Sequence, residues 1–198
     1  MNNNSEKDMT TKGNILNATL ELIKTDGLEN ITLRKIAALA GVNLALINYY
    51  FGSKDKLINE ALKIQLASFR KHFLILDEYS LSPKDRLKTF LVEYVNSVIK
   101  YPELIKEILG KGTITFESQF EYQNYMKTSG INKIKATLQE ITGEQDSDKL
   151  TMMLMHILPS VFFPAMIACK KDVPFVRNAI PIERQIDHLF QHYFARYS

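Results

Sequence analysis

Apolar residues recur at intervals of three and four positions along most of the chain, beginning with Ile15, Ala18, Leu22 and Ile23. This spacing places them on one face of an α-helix, whereas a half-buried strand would alternate apolar and polar residues. No sustained alternation bounded by turn residues is present. The sequence therefore predicts an all-α protein, with a long helix after Ser53 and further helices over residues 11–25, 32–39, 43–49, 83–100, 102–110, 115–141 with a break at Gly130, 147–170 and 181–197.

Glycines and capping residues divide the first part of the chain into short helices. Thr32, Asn43 and Ser53 are residue types that accept hydrogen bonds at helix N-termini, and Gly27 and Gly41 suit the left-handed turns that end helices. Three helices of about 15, 8 and 7 residues with a tight glycine turn have the dimensions of a helix-turn-helix. We therefore expect a mobile arm over residues 1–9, a helix-turn-helix domain over 10–56 and a larger helical domain over 57–198.

The third predicted helix has an unusual outer face. Val42 and Ile47 are its inward apolar residues, which hold it against the first two helices. In a helix-turn-helix this helix enters the DNA major groove, where apolar side chains contact thymine methyl groups and tyrosine hydroxyls reach phosphates. An ordinary solvated face would carry lysine and glutamate, but the outward residues are Leu44, Ala45, Leu46, Asn48, Tyr49 and Tyr50. This face predicts a half-site that leans towards A/T pairs.

The segment 33–57, LRKIAALAGVNLALINYYFGSKDKL, resembles the DNA-binding signature of the TetR (tetracycline-repressor-type) family. It departs from the signature at Asn48, where the family usually has tyrosine, and at Tyr50, where it usually has histidine. Gly13 stands where the first helix of the family often carries an arginine. The resemblance covers about a quarter of the chain, and the matching positions are Ile36, Ala37, Ala40, Gly41, Val42, Ile47, Phe51, Lys54 and Leu57.

The resemblance implies a homodimer that binds a palindromic operator in double-stranded DNA. By position, Thr32 and Lys54 contact phosphates, and Arg34 lies where the family reaches a base, for which guanine is the usual arginine target. The full set of DNA-binding residues expected in this way is Thr32, Arg34, Lys35, Asn43, Leu44, Ala45, Leu46, Asn48, Tyr49, Tyr50 and Lys54.

The resemblance also implies that the larger domain senses a small-molecule effector and dimerises through its last two long helices. The dimer seam expected there consists of Leu154, Ile157, Val161, Ile186, Leu189, Phe190 and Tyr193. The candidate effector pocket consists of Phe90, Tyr94, Phe116, Phe120, Tyr125, Met126, Met153 and Phe162, fewer than half of which we expect to touch the ligand. Their aromatic and thioether side chains suit an apolar or aromatic ligand, because few charges are present to balance a buried ionic one. Release from DNA by the ligand, hence repression, is the family's usual mode, and the sequence itself leaves open whether ligand releases or promotes binding.

Charge adds little to this interpretation. The formal net charge is +3, and residues 1–60 carry seven basic and seven acidic side chains, so bulk electrostatics do not favour DNA.

Residues 1–9 are polar and do not form a secretory signal. The most apolar stretch, residues 150–168, contains His156, Pro159, Ser160 and Pro164 and lacks a basic flank on its N-terminal side, so we expect a buried helix and not a membrane span. The expected location is the cytoplasm.

The residues that suggest other classes of function lack the context that those functions require. The pair His188 and His192 has zinc-ligand spacing, but without a His-Glu-x-x-His pattern or a cysteine cluster a partner-facing or exposed helix is favoured. Neither a metal nor a cofactor is therefore expected. An enzyme is not favoured, because the candidate pocket holds no titratable residues except tyrosines. Two alternatives stay open: a helical interaction protein with a degenerate helix-turn-helix, and a regulator that needs a co-ligand to bind DNA.

Overall fold

The computed structural model describes residues 3–102, 104, 115–168 and 180–197. These residues form helices and connecting turns and contain no strand, which confirms the all-α prediction. The α-helices in this part of the chain are α1 (Asn3–Asp26), α2 (Leu33–Ala40), α3 (Leu44–Phe51), α4 (Lys54–Lys71), α5 (Pro83–Val98), α6 (Glu117–Tyr125), α7 (Ile131–Thr142), α8 (Ser147–Ala168) and α9 (Ile182–Tyr193).

Most predicted boundaries agree with these helices to within a few residues, and the start of α1 is the main exception. The helix begins at Asn3, so the arm predicted over 1–9 is wrong for residues 3–9. No proline or glycine precedes Gly13, and polar residues such as Glu6 and Lys7 are good helix formers. The helix predicted over 102–110 lies almost wholly outside the described residues, as does the end of the one predicted over 147–170.

The chain divides into two compact units. The first unit comprises Met1–Ala67 and Tyr101–Tyr122, and the second comprises Ser68–Lys100 and Gln123–Ser198. The predicted domain boundary at residue 56 lies near the start of α4, a continuous helix that extends to Lys71. The first unit instead extends to Ala67, within this helix. Ile15, Ile23, Ile36, Ile47 and Leu57 are fully buried in the first unit and supply its core.

The second unit is built around α5, which packs against α7, α8 and α9. Its apolar core includes Phe73, Phe90, Leu91 and Ile134, all almost completely buried. Arg86 also lies within this core. Burial of these aliphatic and aromatic side chains is the main source of stability for such a helical layer.

The interruption predicted at Gly130 is a π-helical turn, Met126–Gly130, between α6 and α7. A Cβ atom at Gly130 would lie 2.9 Å from the sulfur of Met126 and 3.1 Å from the ring of Phe73. Since real Cβ atoms rarely approach other atoms so closely, any larger residue at this position would force the Met126 side chain or the Phe73 ring to shift. The π-helical turn therefore lies where the backbone packs closely against the aromatic core.

The helix α8 is apolar but largely uncovered within one chain. By length and composition alone, the stretch Ser147–Ile167 is apolar enough to cross a membrane, and only 28% of it is buried. The expectation of a buried helix therefore holds for one face only. The exposed face carries Met152, Met155, His156, Pro159, Ser160 and Phe163 at helical spacing.

Candidate nucleic-acid interface

The turn between α2 and α3 has the tight geometry that the sequence predicts. Gly41 follows α2 with a φ of 66°, in the left-handed region that favours glycine. The N–H of Val42 donates to the carbonyl of Ala37 at 3.0 Å, which closes the end of α2. The chain then turns directly into α3, with Asn43 as its N-cap.

The three capping residues predicted from the sequence are confirmed. The Thr32 hydroxyl oxygen accepts the Lys35 N–H at 3.2 Å, and the Ser53 hydroxyl oxygen accepts the Lys56 N–H at 3.2 Å. The Asn43 side-chain oxygen accepts the Leu46 N–H at 2.8 Å. These bonds satisfy amide groups that a helix start leaves without a partner, so they fix where α2, α3 and α4 begin.

The helix α3 has one buried face and one exposed face. Ile47 is 1% exposed and Phe51 is 6% exposed, so these two side chains anchor the helix in the first unit. The opposite face carries Leu44, Ala45, Asn48 and Tyr49, all exposed, with Tyr49 at 78%. Leu46 and Tyr50 are half-buried at the edges of this face, and the rings of Tyr49 and Tyr50 meet edge to face at 5.2 Å. We call Leu44, Ala45, Asn48 and Tyr49 the recognition face.

Two neighbouring cations on α2 have different surroundings. The Lys35 ammonium donates to the carboxylate of Asp26 at 2.6 Å and to the carbonyl of Asn30 at 3.1 Å. The hydrogen bond from Lys35 lowers the pKa of Asp26, and a second bond from the Thr25 hydroxyl acts in the same direction. Arg34 is exposed and forms no ion pair with any residue in the described part of the chain. Arg34 therefore keeps a free guanidinium, while the charge of Lys35 is already balanced.

Lys54 is half-buried at the start of α4 and donates to the carbonyl of Ile31 at 3.2 Å. An ammonium has three N–H donors, so two remain for a phosphate. The same contact ties α4 to the segment before α2, which gives Lys54 a structural role besides the one carried over from the resemblance.

Two further lysines, which the sequence pattern did not single out, lie next to the recognition helix. Lys12 and Lys56 line a cleft of about 280 Å³ together with Tyr50, Phe51, Asn59 and Glu60. The Lys12 ammonium lies 5.6 Å from the centre of the Phe51 ring. The equal numbers of acids and bases in residues 1–60 hid this site, because ion pairs such as Lys24–Glu21 and Lys35–Asp26 account for part of that balance.

The segment that contains the helix-turn-helix is similar to known proteins. A family model described as "Bacterial regulatory proteins, tetR family" matches residues 15–61. The HTH-type transcriptional repressor NicS of Pseudomonas putida is 30% identical over 95 residues, which cover 48% of this chain and 45% of NicS. The HTH-type transcriptional regulator BetI 1 of Chromohalobacter salexigens is 43% identical over 49 residues, which cover 25% of this chain and 24% of BetI 1. A TetR-like transcriptional regulator from Rhodococcus sp. RHA1 superimposes with a TM-score of 0.63 at 15% identity, covering 91% of this chain and 92% of that one.

The resemblance to the TetR family that residues 33–57 indicate is confirmed by the family model, which matches residues 15–61. The matches to the chain's curated relatives span less than half of their lengths, whereas the structural likeness spans nearly the whole chain and shows the fold. The relatives that match this segment are described as HTH-type transcriptional regulators.

Most of the residues predicted to line an effector pocket come together in the second unit. Phe90 and Tyr94 stack at 5.3 Å, and Tyr94 meets Phe162 edge to face at 5.8 Å. Tyr125, Met126 and Met153 belong to the same apolar cluster. Phe116 and Phe120 belong instead to the first unit, and Phe120 is 60% exposed.

Several residues of the predicted dimer seam face their own subunit. Ile157, Val161 and Ile186 are at most 1% exposed and lie in the core of the second unit, so they have no surface left for a partner. Leu154, Leu189, Phe190 and Tyr193 are partly buried against the same core. The apolar surface that is available to a partner on α8 is instead its outer stripe of Met152, Met155, His156, Pro159, Ser160 and Phe163.

Proposed function

We propose that the chain is a sequence-specific DNA-binding transcriptional regulator that acts as a homodimer on a palindromic operator. The observation that carries this proposal is the recognition face, an exposed surface without charge on a short helix that follows a left-handed glycine turn. Tyr49 is 78% exposed, so burial in the core does not account for a tyrosine at this position. A face of this kind suits the edges of bases in a major groove better than it suits water.

The proposed contacts divide into phosphate and base contacts. Thr32, Lys54 and Tyr50 bind phosphates, joined by Lys12 and Lys56, which share a cleft with Tyr50. Arg34 and the recognition face contact bases, with Leu44 and Ala45 against thymine methyl groups. We assign Lys35 and Asn43 to the support of the domain, since their side chains bind Asp26 and cap α3.

Selection of bound duplexes from random DNA by the purified chain tests this proposal, followed by titration at a stated salt concentration. We expect an A/T-leaning palindrome and its loss in the variant Arg34→Ala/Tyr49→Ala. Lys24→Ala is the matched control, because Lys24 is an exposed basic residue of the same unit that pairs with Glu21. A folded dimer that enriches no sequence, with or without candidate effectors, would favour a helical interaction protein with a degenerate helix-turn-helix. Enrichment only when an effector is present would indicate a regulator that needs a co-ligand.

The proposal includes an effector and a cytoplasmic location without a membrane partner. The aromatic cluster around Phe90, Tyr94 and Phe162 supports a small apolar or aromatic ligand in the second unit. The helix α4 runs from the first unit into the second, so a ligand-dependent tilt of α4 would change the separation of the two recognition helices in the dimer. A few kcal/mol of differential affinity, of the order typical for coupled sites, is enough to release DNA. Equal separations with and without a ligand that abolishes DNA binding would contradict this mechanism.

A further inference from the structure

The exposed face of α9 carries two adjacent imidazoles that take no part in the proposed DNA contacts. His188 and His192 are both exposed and lie one helical turn apart. Their ring centres are 4.1 Å apart, and the ring planes are inclined by 45°. Two imidazoles at this spacing on one helix face are able to approach a single ion from the same side.

A backbone hydrogen bond determines which nitrogen of His192 is available. Its Nδ1 lies 2.8 Å from the carbonyl oxygen of His188. Because a carbonyl oxygen only accepts, Nδ1 must carry the proton, and in the neutral ring Nε2 then holds the free lone pair. Metal-binding histidines commonly donate their second ring N–H to a carbonyl in this way, which fixes both the tautomer and the ring orientation.

The surroundings leave room for an ion and limit its affinity. His188 borders an open cleft of about 680 Å³, and His192 borders another of about 510 Å³. Arg184, one turn before His188, lines the first cleft and disfavours a cation, and Asp187 beside it is paired with Lys88. Among the described residues, no group of three or more histidine, cysteine, aspartate or glutamate side chains is placed to hold a metal ion. Water would therefore complete the coordination of an ion held by this pair.

We propose that His188 and His192 form a two-imidazole site for one divalent transition-metal ion per chain, of the Zn²⁺, Ni²⁺ or Cu²⁺ class. Imidazole is a preferred ligand for these ions, whereas Mg²⁺ and Ca²⁺ prefer oxygen ligands. The proposal departs from the expectation of no metal site, because the exposure of both rings, their contact and the hydrogen bond of His192 are visible only in the folded helix.

Isothermal titration of the full chain with ZnCl₂ and NiCl₂, after treatment with a chelator, tests this site. We expect saturable binding of one ion per chain and no binding of Mg²⁺. The variants His188→Ala and His192→Gln should each lose the saturable phase, and circular dichroism should show an unchanged fold, because both side chains are exposed. His156→Ala is the matched control, since His156 is an exposed histidine on α8 that contacts Tyr193 and lies outside the pair.

The site is refuted if the wild-type chain binds neither ion, or if the double variant His188→Ala/His192→Gln binds as tightly as wild type. Loss of binding in His156→Ala with retention in the other two variants would also overturn the assignment. None of these results depends on DNA binding, so failure of the metal site and failure of the proposed regulator are distinguishable.

Discussion

At the scale of single residues, the neighbouring side chains determine whether a charged group is available to bind DNA. Arg34 and Lys35 are adjacent in sequence and both exposed, yet only Lys35 is neutralised by a carboxylate, that of Asp26. Exposed ion pairs of this kind contribute little to stability, but they remove a cation from the set available to DNA. Arg34 and Lys35 therefore have different expected effects on operator affinity, with Arg34→Ala the more damaging of the two substitutions.

The variant Lys35→Met should raise the pKa of Asp26 towards its ordinary value, because the largest cause of its lowering is the hydrogen bond from Lys35. A lowered carboxyl pKa stabilises the folded state above the unfolded pKa, and this contribution is lost as the pH falls through the folded pKa. In Lys35→Met that pH-dependent contribution should shrink. An NMR titration of the Asp26 carboxyl carbon measures the shift, and Lys24→Met, which removes the partner of Glu21, should leave it unchanged.

A buried cation gives the second prediction at this scale. Arg86 is 2% exposed, donates to the carbonyl of Leu76 at 2.8 Å and pairs with Glu140. Its guanidinium also lies 4.7 Å from the ring centre of Tyr79. The variant Glu140→Gln leaves this charge without its counter-ion and should lower the free energy of unfolding by about 1–3 kcal/mol.

Urea unfolding of Glu140→Gln, Arg86→Met and the double variant measures this coupling as a thermodynamic cycle. The double variant should lose less stability than the sum of the two single variants. The control is Lys88→Met, which breaks an exposed pair with Asp187 and should change stability by about 0.5 kcal/mol or less. Additive losses in the cycle would mean that Glu140 and Arg86 do not interact energetically.

At the scale of elements, two helical glycines have opposite requirements. Gly130 closes the π-helical turn against Met126 and Phe73, whereas a Cβ atom at Gly13 in α1 would have no other atom within 4 Å. Overpacking at the first position strains the core, and alanine at the second lowers the entropy that the unfolded chain loses on folding. Substitution by alanine is therefore expected to have opposite effects on stability at the two positions.

We expect Gly130→Ala to destabilise the chain by about 1–3 kcal/mol and Gly13→Ala to stabilise it by about 0.5–1 kcal/mol. Thermal unfolding monitored by circular dichroism measures both changes. Because the nearest atom to the added methyl group is the sulfur of Met126, Met126→Ala should partly relieve the strain in Gly130→Ala. A neutral effect of Gly130→Ala would show that the turn adapts without cost.

At the scale of the whole molecule, the uncovered face of α8 is the surface that we propose as the dimer interface. Its outer stripe includes Met155 and Phe163, each 64% exposed, on a helix of which less than a third is buried. Contiguous apolar surface of this kind commonly marks a protein interface. A second copy of the chain is the proposed partner, and two-fold symmetry then accounts for a palindromic operator.

The substitution Phe163→Glu should weaken the dimer by about tenfold or more, since it places a charge in an apolar interface. Light scattering after size exclusion, over a range of protein concentrations, measures the association. Leu74→Glu is the control, because Leu74 is equally exposed, at 65%, but lies on a different segment of the same unit. Unchanged association in Phe163→Glu would remove α8 from the interface, and affinity for the palindrome should fall together with dimerisation.

The sequence by itself determined the local features of this protein. Caps, the glycine turn and the outward residues of α3 depend on contacts within three or four positions, which the order of residues specifies directly. For this reason Thr32, Asn43, Gly41 and Ile47 have the roles that the sequence predicts. The family signature lies in the same local segment, which is why the resemblance was visible in residues 33–57.

Only the tertiary structure decided which partners distant residues meet. The helix α8 is apolar on nearly every side, so its periodicity did not reveal that Ile157 and Val161 point into the core while Phe163 faces outward. Asp26 lies nine residues from Lys35 and Glu140 lies 54 residues from Arg86, so no local pattern encodes either pair. Burial and pairing depend on the summed packing of all helices in a unit, and this is the physical reason why spacing alone did not show that Ile157, Val161 and Ile186 are buried within their own chain.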